Sequence, residues 1–149
     1  MKAHGLHAQL WTQCADYAEL LPQLVPLGIP IVLDHMGSFN AAAGINDTAF
    51  QTLLRFLSTE NIWIKLSVCR TSKQFPDYPD TRPFHDALVN ANPNQLVWGS
   101  DWPFVRMGEL SPNAGHLVDL FHDWVSDTTL RQKILVDNPA KLYGFKGFP

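Results

Sequence analysis

Four short apolar runs, at residues 5–11, 30–34, 62–67 and 95–100, begin about 25 to 35 residues apart, the length of a strand plus the helix that follows it. Ile31, Val32, Ile62, Ile64 and Val97 give the runs the β-branching that strands favour. The runs are apolar along most of their length instead of alternating apolar with polar, which suits strands covered on both faces.

The segments between the runs carry helical spacing. Tyr17, Leu20, Leu21, Leu24 and Leu27 fall on roughly one face, with Pro22 and Pro26 expected to shorten or kink that helix. Asn46-Asp47 offers two good N-cap residues ahead of Phe50, Leu53, Leu54 and Leu57. A third helix is predicted over 83–90, with Phe84, Ala87 and Leu88 inward. After the fourth run come predicted helices at 114–124 and 128–136. A short last turn follows, opened by Asn138-Pro139 and closed by Gly144. Strands alternating with helices predict an α/β fold with a parallel sheet: four consecutive βα units and C-terminal helices, as one domain over residues 1–149.

Composition excludes several functions. With 46% hydrophobic and 17% charged residues and a formal net charge of -3, the 149-residue chain reads as a soluble globular domain with no basic face for nucleic acid or an anionic membrane. No apolar run approaches a membrane span, and the first ten residues are too polar for a secretory signal. Cys14 and Cys69 stand alone, so neither a disulfide framework nor a thiolate zinc site is expected, and a cytoplasmic protein is.

Chemistry in parallel α/β folds collects where strands end. The second run ends in Asp34-His35 with Gly37 permitting a turn. The third ends in Lys65, Ser67 and, just beyond, Arg70, and the fourth in Gly99-Ser100-Asp101. In the first, His7, Gln9 and Trp11 share a face by period-two alternation. Each of these residues also has an ordinary role open to it. A lone His after a strand is more often structural, a lone Asp usually caps a helix, Lys65 reads as half of a structural ion pair, and Trp63, Trp98 and Trp102 as packing. Two features favour function for His35 and Asp101. The polar groups fall at the same end of successive strands, and Pro103 keeps the chain after Asp101 from starting a helix that Asp101 could cap.

The other histidines carry less. His4 and His7 would point to opposite faces of a strand, and His85, His116 and His122 lie in helical segments, where only His116 with Asp119 or Asp123 has ligand spacing. There is no H-E-x-x-H, no Gly-rich phosphate loop and no G-x-S-x-G elbow, and Ser67 lacks a nucleophile's flanking glycines.

I-V-L-D-H-M-G, I-W-I-K-L-S-V-C-R, L-V-W-G-S-D-W-P and V-D-N-P-A-K-L-Y-G-F, in this order and spacing, resemble the amidohydrolase-related (amidohydrolase 2) family. The resemblance is to its branch of barrel hydrolases that includes 2-pyrone-4,6-dicarboxylate lactonase and sugar lactonases. It implies the C-terminal half, strands five to eight, of a TIM (β/α)8 barrel. It implies Asp101 as the base for the hydrolytic water, His35 as the group polarising the substrate carbonyl, and Arg70 as a partner for a substrate carboxylate. Gln9, Ser67 and Trp102, at or beside the strand ends, are expected to line the substrate site. The implied reaction is hydrolysis of a lactone of a small carboxylate or sugar acid.

Two departures from the family pattern stand out. Ser38 replaces the Arg that follows H-M-G in pyrone-type lactonases, and the first-strand H-x-H is absent together with strands one to four. A full barrel needs roughly 250 residues. The expectations are therefore a chain truncated relative to its family and weakly active alone, a homo-oligomer or a partner to a missing N-terminal half, and a small carboxylate or lactone as substrate. No metal ligand is assigned; a divalent metal such as zinc belongs, if anywhere, to the complete barrel. A metal-dependent decarboxylase of the same family and a non-catalytic half-barrel are the alternatives. The decarboxylase would need a metal-binding His where the first run ends in Gln9-Leu10-Trp11.

Overall fold

The computed structural model describes residues 2–59 and 61–145. The outer limits of the expected 1–149 domain lie outside them. Four parallel strands, β1 (Ala8–Leu10), β2 (Ile31–Leu33), β3 (Ile62–Leu66) and β4 (Leu96–Trp98), form one sheet in the order β1-β2-β3-β4. Each strand lies beside its sequence neighbour, as the βα spacing predicts. Register pairs Val32 with Gln9 and Trp63, and Lys65 with Val97.

The helices are α1 (Tyr17–Leu24), α2 (Thr48–Leu57), α3 (Arg82–Ala91), α4 (Ala114–Trp124), α5 (Thr128–Gln132) and α6 (Asn138–Tyr143). Asp47 caps α2 as expected: its carboxylate accepts from the N–H groups of Ala49 and Phe50, both at 3.1 Å. In the first helix only Tyr17 and Leu21 are buried. Leu20 and Leu27 are exposed, and the chain tightens into a 3-10 turn at Val25–Leu27 before Gly28 (φ 61°) ends it.

Three segments depart from expectation. The first strand is shorter than 5–11, and His4 sits in a 3-10 turn (Lys2–His4), so the opposite-faces argument for His4 and His7 does not apply. The helix expected over 128–136 is joined to the last turn: a π turn at Lys133–Asp137 links α5 to α6. Pro139 lacks an N–H and cannot continue a regular helical ladder, which the wider turn accommodates. His116 meets neither Asp119 nor Asp123; its Nε2 lies 2.8 Å from Asp77 Oδ1.

One face of the sheet, with Ile31, Leu33, Ile62, Ile64, Leu66 and Leu96, packs on the helices through Leu21, Phe50, Leu53, Leu57, Phe84 and Leu88. On the other face Val32, Trp63 and Val97 form a small cluster against Leu142 of α6. Asn138, at the start of α6, is buried and donates from Nδ2 to the carbonyls of Pro93 (2.8 Å) and Leu96 (2.6 Å). That second face is where the polar residues at the strand ends come together.

Candidate active site

The chain turns sharply as soon as β2 ends. The Gly37 N–H donates to the Asp34 carbonyl (2.9 Å) and the Ser38 N–H to the His35 carbonyl (2.8 Å). The turn holds His35 (φ 49°), Met36 (φ 55°) and Ser38 (φ 49°) in the left-handed region, at about 1–3 kcal/mol for each non-glycine residue. Burial of Met36 and Phe39 anchors it. Gly37 (φ 75°) has no freedom for a side chain, since a Cβ there would lie 2.3 Å from Leu53 Cδ2.

The end of β4 repeats the device. Asp101 takes φ 70°, the Phe104 N–H closes back on its carbonyl at 2.9 Å, and the buried Phe104 ring holds the loop down. Both residues expected to do chemistry thus sit in strained backbone just past a strand. Such strain persists only where surrounding packing imposes it, and it concentrates at functional sites.

The side chains converge in pairs. Arg70 Nε lies 2.5 Å from Asp101 Oδ2, and each side chain is about a fifth exposed. Cys69 Sγ is 3.8 Å from the same carboxylate oxygen. His35 is buried, with Nδ1 3.1 Å from Ser67 Oγ, and the Trp11 ring meets the imidazole edge to face at 5.0 Å. Below them Lys65 Nζ lies 2.6 Å from Asp34 Oδ1, and Gln9 Nε2 donates to Asp34 Oδ2 at 2.7 Å. The expected structural ion pair of Lys65 therefore has its partner just past the end of the neighbouring strand. Gly99 leaves room for it: a Cβ there would lie 3.2 Å from Lys65 Cδ.

Burial pushes the His35 imidazole below its usual range, while Asp101 and then Asp34 pull it back, and Arg70 and Lys65 add to the lowering. The ring is thereby held neutral around pH 7, with one N–H to offer as a hydrogen-bond donor.

The expected site residues end in different places. His35, Asp101, Arg70, Ser67 and Gln9 all join the cluster. Ser67, expected to face substrate, is buried and turned onto His35. Trp102 is 74% exposed, and among the described residues no hydrogen bond or ring contact ties its side chain to the others. Four residues join without having been singled out as site residues: Trp11, Asp34, Lys65 and Cys69. Strand parity hinted at Trp11 and the end of the second run at Asp34, but no local signal shows which residues of neighbouring strands lie side by side.

Among the described residues no group of three or more His, Cys, Asp or Glu side chains is placed to hold a metal ion. Asp101, a carboxylate close to His35, shares an oxygen with the Arg70 guanidinium.

The amidohydrolase family model (Amidohydro_2) matches residues 1–145. The 4-sulfomuconolactone hydrolase of Rhizobium radiobacter is 41% identical over 118 residues, covering 77% of this chain and 40% of that protein. The 2-pyrone-4,6-dicarboxylate hydrolase of Comamonas testosteroni is 32% identical over 149 residues, 93% of this chain and 49% of that one. A solved Pseudomonas putida structure named for 2-pyrone-4,6-dicarboxylic acid hydrolysis superposes with a TM-score of 0.85 at 32% identity, over 98% of this chain and 54% of its own. The chain spans about half the length of the curated relatives it matches.

Proposed function

The chain belongs to the amidohydrolase family, and from that premise we propose that it carries the C-terminal half, strands five to eight, of a TIM-barrel lactone hydrolase. One observation carries the reading: a carboxylate and a neutral imidazole, on strands β4 and β2, stand in strained backbone at the same end of a parallel sheet. In parallel barrels the strand ends on this side hold the chemistry.

The roles follow from the pairs. Arg70 and Cys69 both contact Asp101 Oδ2, which leaves Oδ1 to take the proton from an attacking water. Ser67 engages His35 through Nδ1, so Nε2 is the nitrogen that donates to the lactone carbonyl and stabilises the negative charge that forms on it. Arg70 meets Asp101 through Nε, and its two terminal nitrogens remain to hold a substrate carboxylate side by side. Lys65, Asp34 and Gln9 fix the floor beneath. Ring opening then places the added hydroxyl on the acyl carbon and returns a proton to the leaving alkoxide. The substrate class is a lactone of a small carboxylate or sugar acid; the relatives named above act on lactones and a pyrone.

We infer further that the open second face and the free edges of β1 and β4 take a complement of strands, from an N-terminal half or a second copy. The buried free thiols of Cys14 and Cys69 suit a reducing cytoplasm. Among the described residues no helix is long and apolar enough to cross a membrane.

The test is lactone hydrolysis, followed by acid release, by the chain alone and by the chain supplemented with the N-terminal half of a full-length relative. The expected result is feeble turnover alone, restored on supplementation and then lowered about 100-fold or more by Asp101→Asn. Restored turnover indifferent to Asp101→Asn would refute the assignment.

A further inference from the structure

Asp34, the residue before His35, is held on both carboxylate oxygens by the strands that flank its own. Gln9 of β1 donates to Oδ2 at 2.7 Å, and Lys65 of β3 meets Oδ1 at 2.6 Å. The clamp sits where the backbone changes course: Asp34 is extended (φ -73°, ψ 160°) and His35 is left-handed (φ 49°). The Asp34 and Lys65 side chains are only 14% and 23% exposed.

Lys65 touches a second strand end as well. Its methylenes lie in the space that Gly99 leaves open, where a Cβ would stand 3.2 Å from Cδ and 3.5 Å from Cγ. The Gly99 backbone is outside the left-handed region, so what matters there is the missing side chain. Gly99 follows β4 directly and stands two residues before Asp101. One side chain of β3 thus adjoins the ends of both neighbouring strands, the one leading into His35 and the one leading into Asp101. Stability alone does not account for a charge here, since replacing a buried ion pair by apolar groups of like size is often neutral or stabilising. What the clamp supplies is direction, because a charge-assisted hydrogen bond on each oxygen fixes the carboxylate in one orientation.

We propose that Lys65 is a positioning residue for the lactone hydrolysis: through Asp34 it holds the turn that carries His35, and through Gly99 the strand end that carries Asp101, so that imidazole and carboxylate keep one separation. The proposal rests on the roles of His35 and Asp101 given above and adds a residue that acts through its neighbours. Displacing Lys65 moves the carbonyl-polarising group relative to the base, and a misplacement of about 1 Å costs on the order of 100-fold in rate.

The ring 15N signals of His35 in the full chain test the link, since β3 separates Gly99 from the strand that carries His35. Gly99→Ala pushes on the Lys65 stem and should shift those signals. The same substitution in a Lys65→Ala/Asp34→Asn background, with no stem to push and no carboxylate left unpaired, should shift them no further. His35 signals indifferent to Gly99→Ala, or moved equally in both backgrounds, overturn the proposal. Turnover tests its consequence, in the chain supplemented with the N-terminal half of a relative. Lys65→Met keeps the stem and loses the charge; it should lower kcat about 10- to 100-fold and leave KM within about twofold. An unchanged kcat, or a loss confined to KM, overturns the positioning role and leaves the hydrolase reading intact. Lactone turnover absent from the unaltered supplemented chain, or indifferent to Asp101→Asn, overturns the hydrolase reading and the positioning role with it.

Discussion

Arg70 and Asp101, from the loops after adjacent strands β3 and β4, meet at 2.5 Å and stand 31 positions apart in the chain. The contact fixes the orientation of a carboxylate whose backbone is itself held at φ 70°. The guanidinium occupies one oxygen, and the proposed role as base falls to the other.

Removing the cation should therefore be felt in stability as well as chemistry. Arg70→Gln leaves a mostly buried carboxylate without its partner, at an expected cost of about 1–3 kcal/mol, between a surface pair and a fully buried one. The urea midpoint should fall with the slope unchanged. Asp101→Asn added to Arg70→Gln should recover part of the loss, and a double-mutant cycle with no coupling would show that the pair does not form in solution.

The contact of Ser67 Oγ with His35 Nδ1, at 3.1 Å, should select one imidazole tautomer. Ring 15N shifts of His35 are expected to report a single neutral tautomer in the unaltered chain and a mixture in Ser67→Ala. Identical ring shifts in the two proteins would remove Ser67 as the residue that orients His35.

Acid should destabilise the fold through two histidines. Burial lowers His85, opposed by Asp86, and lowers His35, opposed by Asp101 and Asp34. Above the usual value of 6.5 both folded and unfolded chains hold these rings neutral. Below it the unfolded chain takes up protons first, so stability drops as pH falls from 6.5 toward the folded values, by up to about 1.4 kcal/mol per pH unit for each ring. His85 lies between Phe121 and Trp124 with Nε2 unpartnered, so His85→Phe should flatten the fall in urea stability between pH 7 and 5. An equally steep fall in that variant would assign the acid sensitivity elsewhere.

Two glycines separate backbone strain from collision. Gly44 (φ 79°) has open space where a Cβ would stand, whereas at Gly37 (φ 75°) the same atom would meet Leu53. Gly44→Ala should cost about 1–3 kcal/mol, the strain of a φ 79°, ψ 169° backbone that is essentially glycine's alone, with no collision added. Gly37→Ala should cost clearly more and disturb the turn that carries His35. Equal denaturation midpoints for the two variants would mean that Leu53 yields freely.

Much of this arrangement was legible before any coordinates. Four apolar runs at βα spacing named the strands, Asp47 declared its cap, and the break in pattern at Asp101 and His35 pointed to the strand ends. The shortened β1 and the π turn at Lys133–Asp137 were not legible, because strand length depends on a neighbour's hydrogen bonds and a π turn on how α6 docks. Ser67 read as a residue lining the substrate site because it falls at a strand end, and only its burial against His35 shows what it touches.

The sequence by itself determined what is periodic and local: which segments are strands, which residues share a face, and which polar groups fall just past a strand end. Alternation and capping act within a few residues, so a linear reading carries them. Tertiary structure alone decided the partners: Lys65 against Asp34 through the β2–β3 register, Arg70 on Asp101 across 31 positions, and Ser67 under His35. A charge satisfies itself with whatever the packed neighbours bring within about 4 Å, and that proximity is set by the register and curvature of the sheet, which no short stretch of chain encodes.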